Sequence, residues 1–411
     1  MISKYVIIGG GVASTGCIEG IRKVDPSGGI TLITAEPYLT YCRPLISYLL
    51  EGKTTLEKML YRPESFYEKN GVRVMLATKS ERIDPERKTV MLSDGTSIGY
   101  EKLLCATGSV PFVPPFEGFD TVKSKFSFLT LDDALELERA ITPESRVFIV
   151  GAGLIGLKCA EGIHGRVGSI TVCDLAPQVL ASILDSDSAN IVEETLQSHG
   201  INLILGDTVA KFEENVAILQ SGASVEFDVL VLAVGVRPNV ALVRDAGGKI
   251  GRGIIVDDTM LTSLPDVYAA GDCTESFDIT SSSSRVLAIL PNAYMQGECA
   301  GINMAEGYSS YANAVPMNSV GFFGLHIATA GTYTGELHEI RTPGCLKKLY
   351  VNEGRLVGFI IIGDTTRAGI YTSLIRNKTP LDEIDFELIK NYPSLMAFSG
   401  NSRLKMLGGV V

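Results

Sequence analysis

Short apolar runs alternate with helix-like stretches along this chain, and the alternation is written twice. Tyr5 to Ile8 reads as a buried strand that runs into glycines at Gly9 and Gly11, a small-residue helix, and a second strand at Ile30 to Thr34 that ends near Glu36. Val147 to Val150 repeats the order, with Gly151, Gly153 and Gly156, a helix, and a strand at Ile170 to Cys173 that ends at Asp174. The copies also close alike. Asp94 to Gly108 and Ser221 to Gly235 each pass from a turn through a polar strand into an apolar one that stops at Ala-x-Gly. Strand alternating with helix predicts parallel sheets with both faces covered.

The remaining pattern places the joints. Proline-rich Pro111 to Pro115 ends the first unit, and Arg237, Pro238 and Asn239 mark a return crossing. Residues 238–313 contain strand-like Gly253 to Asp257 and Val267 to Asp272 but no glycine turn of their own, so they are expected to complete the first unit. From about residue 315, Phe322, Phe323, Leu349 to Val351 and Leu356 to Ile362 suggest strands, and Thr366 to Arg376 a short helix. The predicted fold is α/β, with two Rossmann-like dinucleotide-binding domains and a small α+β C-terminal domain. The first domain is discontinuous (1–113 and 238–313), the second is inserted (114–237), and the third is 314–411.

The glycines carry chemistry. A pyrophosphate needs backbone donors and close approach, and a glycine turn at a helix N-terminus supplies both. Gly9, Gly11 and Ser14, with Val12 and Ala13 between, form the first set. Gly151, Gly153 and Gly156, with Leu154 and Ile155, form the second. Ser14 stands where the third glycine is usual, a helix–strand packing position that a small residue fills. One such set is weak; two in register, each with a preceding strand and an acid about 20–25 residues on, are strong. Glu36 and Asp174 are placed to accept from ribose hydroxyls. An acid at Asp174 with no arginine close behind it repels a 2′-phosphate, which points to NAD rather than NADP in the second site.

Composition narrows the partners. The net charge of −11 and the lack of a basic run exclude nucleic acid. From Arg341 onward basic residues outnumber acidic ones, a balance suited to an acidic protein partner. The 8 cysteines form no CxxC pair and the 4 histidines are scattered, so no metal is expected in this chain. No leader-like segment or membrane-length apolar run is visible, and a cytoplasmic protein is expected.

Leu104 to Pro111, Ala233 to Asn239 and Tyr268 to Cys273 resemble the motifs of the FAD/NAD-dependent pyridine nucleotide-disulfide oxidoreductase family, across the whole chain. The resemblance implies FAD in the first domain, on the first glycine set, Glu36, Arg43, Pro44, Ser80 near adenine, Ala106, Thr107, Gly108, Gly271, Asp272 at the ribityl chain, and the helix start at Pro291, Ala293, Gln296 and Gly297. It implies NADH on the second set with Asp174, Val234 and Gly235. Within the family, Tyr41 to Leu45 and Gly354 to Asp364 resemble NADH:rubredoxin oxidoreductases and the flavin part of nitrite reductase large subunits. That implies hydride from NADH to FAD, then electrons to a rubredoxin, ferredoxin or other iron–sulfur protein or subunit. Two other functions fit the family: a single-cysteine NADH oxidase, peroxidase or coenzyme A-disulfide reductase, and a relay subunit of a larger redox complex.

Cys42 carries the single-cysteine reading. The family's disulfide reductases use CxxxxC, and here Ser47 stands in place of the second cysteine. A helix start and Arg43 beside Cys42 are expected to favour its thiolate, whereas the alternative is a small packing residue. Many relatives pair a lysine and a glutamate beside the nicotinamide. The matching positions here are Tyr48 and Lys158, so Lys158 is either a nicotinamide-positioning group or a solvated helix lysine.

Overall fold

In the computed structural model, which describes residues 2–407, the apolar runs are the inner strands of parallel sheets. Ile2–Ile8 pairs in parallel with Ile30–Ile33 and with Ser97–Cys105. Val72–Met75 extends one side, and Val267–Ala269 joins Ser97–Cys105, also in parallel. Antiparallel Thr89–Leu92 and Ser80–Asp84 complete seven strands. All four residues of Ile30–Ile33 are buried, as a strand covered on both faces requires. The segment after residue 238 thus returns to the first sheet, and the first dinucleotide fold is discontinuous. The inserted fold is a five-stranded parallel sheet in the order Ile201–Leu205, Ser169–Asp174, Arg146–Val150, Val229–Leu232, Lys125–Phe126. The two chain crossings run side by side as an antiparallel ribbon, Ser109–Pro111 against Val236–Pro238.

Two helices of the first fold cross backbone to backbone. A Cβ on Gly16 would lie 2.3 Å from the Tyr294 carbonyl oxygen, and one on Gly20 2.3 Å from that of Glu298. In return, Gly297 would meet the Ala13 oxygen at 2.0 Å and Gly301 the Cys17 oxygen at 2.2 Å. Glycines four apart lie on one helix face, so helices Val12–Val24 and Leu290–Met304 approach until main chains touch. Any side chain at these four positions forces them apart.

By contacts the chain divides into two compact units. One comprises residues up to Pro177, Gly200–Phe277 and Ser284–Ala312; the other comprises Gln178–His199, Asp278–Ser283 and the chain from Asn313. The second unit holds a five-stranded antiparallel sheet in the order Met317–Phe322, Leu325–Gly331, Arg355–Ile362, Cys345–Asn352, Glu336–Thr342. Phe359, Tyr371, Leu374 and Ile389 anchor its core. The helix there is Ala368–Arg376, which starts two residues later than Thr366 because Arg367, at φ 62°, occupies the cap.

Helix Ser186–Ser198 belongs to this unit through charge. The Lys348 side chain is 5% exposed; its ammonium lies 2.8 Å from Asp185 and 3.0 Å from Asp187. Asp185 also caps the helix by accepting from the Ser188 N–H, and Tyr350 donates to it at 3.2 Å. Partial burial works to raise the Asp185 carboxyl, but the bonds from Lys348 and Ser188 prevail and bring it down to about 2. Lys348→Met is expected to destabilise the protein by about 1–3 kcal/mol at neutral pH. An unfolded aspartate titrates near pH 4, so this contribution is complete above that value and disappears as pH falls toward 2. Calorimetric melting temperatures of wild type and variant should therefore converge across that window.

Candidate functional site

The two glycine turns have the same conformation. Gly9 and Gly151 adopt φ +110° and +119°, and a Cβ on either would strike the last carbonyl of the neighbouring strand, Ala106 O at 2.1 Å and Ala233 O at 2.3 Å. Gly11 and Gly153 are the N-caps of helices Val12–Val24 and Leu154–Ile163. A Cβ on either would meet nothing within 4 Å. The first glycine is thus required by backbone and packing, and the second leaves its face open to a ligand. Gly156 packs on the Gly151 carbonyl, whereas Ser14, fully buried, turns its hydroxyl onto the Gly11 oxygen at 2.5 Å. Neither helix has an acid in its first turn or a side-chain cap, so the N–H groups and the positive helix end face outward.

The first turn opens into a cleft of about 660 Å³, counting its mouth. Gly11 to Ala13 form one wall. Ala106 to Ser109 and Ala270 to Asp272, from the ends of adjacent parallel strands, form the floor. Tyr41, Arg43 and Leu129 close a side, and Leu290 and Ala293 bring in the start of the second crossing helix. The glycine crossing therefore delivers two helix N-termini to one cleft. Gln296, 2% exposed, sets the floor by accepting from the Gly271 N–H at 2.7 Å and the Thr274 hydroxyl at 3.2 Å. The Thr107 hydroxyl donates to Asn239 O, and the Asn239 N–H donates to Gly108 O. Burial raises the Asp272 carboxyl, and the Arg43 charge opposes that rise.

The two acids differ in their partners. Glu36 pairs with Arg43 and accepts from the Tyr41 hydroxyl at 2.7 Å; Tyr41 in turn accepts from the Leu131 N–H. Asp174 accepts two main-chain N–H groups, Ala152 at 2.6 Å and Ala176 at 2.8 Å, and so braces the second glycine turn. Leu154 and Ile155 open that helix, and Gly235, at φ +110°, ends the partner strand's turn with an open face. Val234 precedes it. Ser80 begins its strand, away from the cleft lining, with a buried hydroxyl that has no hydrogen-bond partner among the described residues.

Several expectations change. Pro44 is the second residue of a 3₁₀ turn, Arg43–Leu45, capped by Cys42, where its missing N–H falls among the unpaired ones. Pro291 is likewise second in its helix. Cys42 does not line the cleft. Burial pushes its thiol up, and the arginine expected to favour the thiolate is paired with Glu36. Lys158 is not solvated: its side chain is 13% exposed and pairs with Glu161, itself 4% exposed. Tyr41, Ser109, Leu129, Ala270 and Leu290 line the cleft without having been singled out. Leu129 enters from the inserted segment, and the signal available for it was the Thr130–Asp133 capping box that fixes the next helix start. Among the described residues no group of three or more His, Cys, Asp or Glu is placed to hold a metal, and no helix is long and apolar enough to cross a membrane.

Gln296→Leu strands the buried Gly271 N–H. It is expected to lower unfolding stability by about 1–3 kcal/mol in denaturant titration.

Residues 3–297 match the family model described as pyridine nucleotide-disulphide oxidoreductase. The chain is 32% identical over 402 residues to the NADH-dependent phenylglyoxylate dehydrogenase subunit epsilon of Aromatoleum evansii, covering 95% of each chain. It is 31% identical over 300 residues to the rubredoxin-NAD(+) reductase of Pseudomonas putida, covering 71% of this chain and 77% of the other. Its fold is that of the reductase in a covalent putidaredoxin reductase–putidaredoxin complex, with a TM-score of 0.85, 22% identity, and coverage of 99% and 98%.

Proposed function

The chain belongs to the pyridine nucleotide-disulphide oxidoreductase family, and from that premise we propose that it passes electrons from NADH, through FAD, to a small iron–sulfur or rubredoxin-like protein. It is an NADH-dependent FAD oxidoreductase. The observation that carries the site assignment is the cleft where two acid-free helix N-termini, Arg43 and Asp272 converge. Its charge suits a pyrophosphate, and the open face of Gly11 leaves room for one.

On this reading FAD lies along Gly11, Val12, Ala13, Arg43, Thr107, Gly108, Gly271, Asp272 and Ala293. Gly9 and Ser14 shape the turn, Glu36 meets the ribose, and Ser80 stands near adenine. Bound there, the flavin supplies the hydride acceptor and the outlet for single electrons. The protein's own part is to orient it: Gln296 holds the floor, and the Glu36–Arg43–Tyr41 group sets the side wall. NADH takes Gly151, Gly153, Leu154, Ile155, Gly156, Val234 and Gly235, with Asp174 at its ribose. Residues 1–113 with 238–313, and 114–237, then serve FAD and NADH respectively. Residues 314–411, with their basic balance, dock an acidic carrier. The rubredoxin-NAD(+) reductase supports this acceptor class. The likeness to a dehydrogenase subunit along nearly the whole chain supports a second reading, a relay within a larger complex.

An NADH oxidation assay over rubredoxin, ferredoxin, oxygen, peroxide and coenzyme A disulfide tests the acceptor. The iron proteins should turn over at least about tenfold faster than the others, a gap of about 1.4 kcal/mol in barrier. Fastest turnover with peroxide or coenzyme A disulfide would return the thiol mechanism. Cys42→Ser should leave turnover with a protein acceptor unchanged, because burial disfavours the thiolate and the residue does not line the cleft.

A further inference from the structure

Building on the NADH-to-FAD reading, we propose that Tyr48 and Lys158 form a clasp that fixes the second dinucleotide fold against the flavin cleft, and that both are positioning residues for hydride transfer. Tyr48 lies on helix Ile46–Leu50, which follows Arg43 and the cleft wall. Lys158 lies one turn into the helix that begins at Gly153. Its ammonium is 4.3 Å from the centroid of the Tyr48 ring and pairs with Glu161 on the next turn. The same two elements meet elsewhere. A Cβ on Gly162 would stand 3.0 Å from the Ser47 carbonyl oxygen, and Arg166 donates to Leu50 O at 2.7 Å.

The chemistry of the pair explains why it acts as a clasp. An exposed lysine–glutamate pair spaced i, i+3 contributes a few tenths of a kcal/mol and has no need to leave water. Here both side chains are nearly buried, which is costly unless something replaces the lost hydration. An aromatic face does so for an ammonium, and the Tyr48 ring that lies against this one belongs to the other dinucleotide fold. The ring thus offsets the hydration that contact expels, so the two helices close here without stranding a bare charge. Contact between the folds is held at a point set by chemistry as well as shape. Arg43 and Gly153 stand near the two ends of the connected path, so the clasp fixes the spacing of the sites they serve. A misplacement of about 1 Å in a transfer geometry can lower a rate about 100-fold.

Four variants of the full chain test this: Tyr48→Ala, Tyr48→Phe, Lys158→Met and the Tyr48→Ala/Lys158→Met double. With no acceptor present, flavin bleaching by NADH in a rapid mixer should slow about tenfold or more in Tyr48→Ala and in Lys158→Met. Tyr48→Phe, which keeps the ring, should stay within about twofold of wild type. FAD content and bleaching by dithionite should be unchanged in all four. The double variant should be no slower than either single one. A second readout is independent of turnover: the falls in melting temperature of the two single variants should exceed, when added, the fall in the double variant. Wild-type bleaching rates in Tyr48→Ala, a Tyr48→Phe as slow as Tyr48→Ala, or additive falls in melting temperature would each overturn the clasp. A wild-type protein whose flavin NADH does not bleach would instead overturn the functional reading, and the non-additive melting would still stand.

Discussion

Two helices that touch main chain to main chain hold the first dinucleotide fold together. Gly16 and Gly20 on one and Gly297 and Gly301 on the other leave no side chain at the four points where the main chains touch. Because the contact is between backbones, the helices have little freedom to slide. Their N-termini, at Gly11 and Ile289, are thereby brought to one cleft. Two helix ends with no acid in the first turn present their positive ends to that cleft without a cluster of basic side chains. Arg43 adds a full charge but is already engaged with Glu36, so the anion preference rests largely on the backbone.

The two dinucleotide folds use one device with different supports. In the first, the acid at the end of the second strand is neutralised by an arginine and a tyrosine from the cleft wall. In the second, the corresponding acid is bonded to main-chain N–H groups, one of them inside the glycine turn itself. The first acid is tied to the wall that shapes the cleft; the second stiffens its own phosphate turn. That difference suits a tightly held group in one fold and an exchanging one in the other.

Much of this was legible in the chain. The glycine turns admit almost no other reading, because Gly9 and Gly151 hold a backbone angle that other residues avoid and Gly11 and Gly153 must stay bare. Strand Val267–Ala269, which joins the first sheet, lies in a segment that has no glycine turn of its own. What escaped detection depended on distant neighbours. The spacing of Gly16 and Gly20 was visible, but nothing local pairs it with Gly297 and Gly301. Lys158 read equally well as a solvated lysine, because the Tyr48 ring that covers its ammonium lies far away along the chain. Cys42 looked primed by Arg43 until Glu36 was found to hold that arginine. The attachment of helix Ser186–Ser198 to the C-terminal sheet rests on Lys348, a type seldom buried and so not expected to anchor anything.

The glycine crossing has a consequence for synthesis on the ribosome. Helix Val12–Val24 emerges early, but its partner, Leu290–Met304, and the strand Val267–Ala269 that covers Ser97–Cys105 come after the whole inserted fold. The insert's parallel sheet is already synthesised while the first fold still lacks a strand and a helix. The nascent chain therefore carries an unfinished hydrophobic face across some 150 residues of translation, roughly ten to thirty seconds at ordinary elongation rates. The fold begun first thus waits for chain made after the insert, and over that interval it offers apolar surface to chaperones.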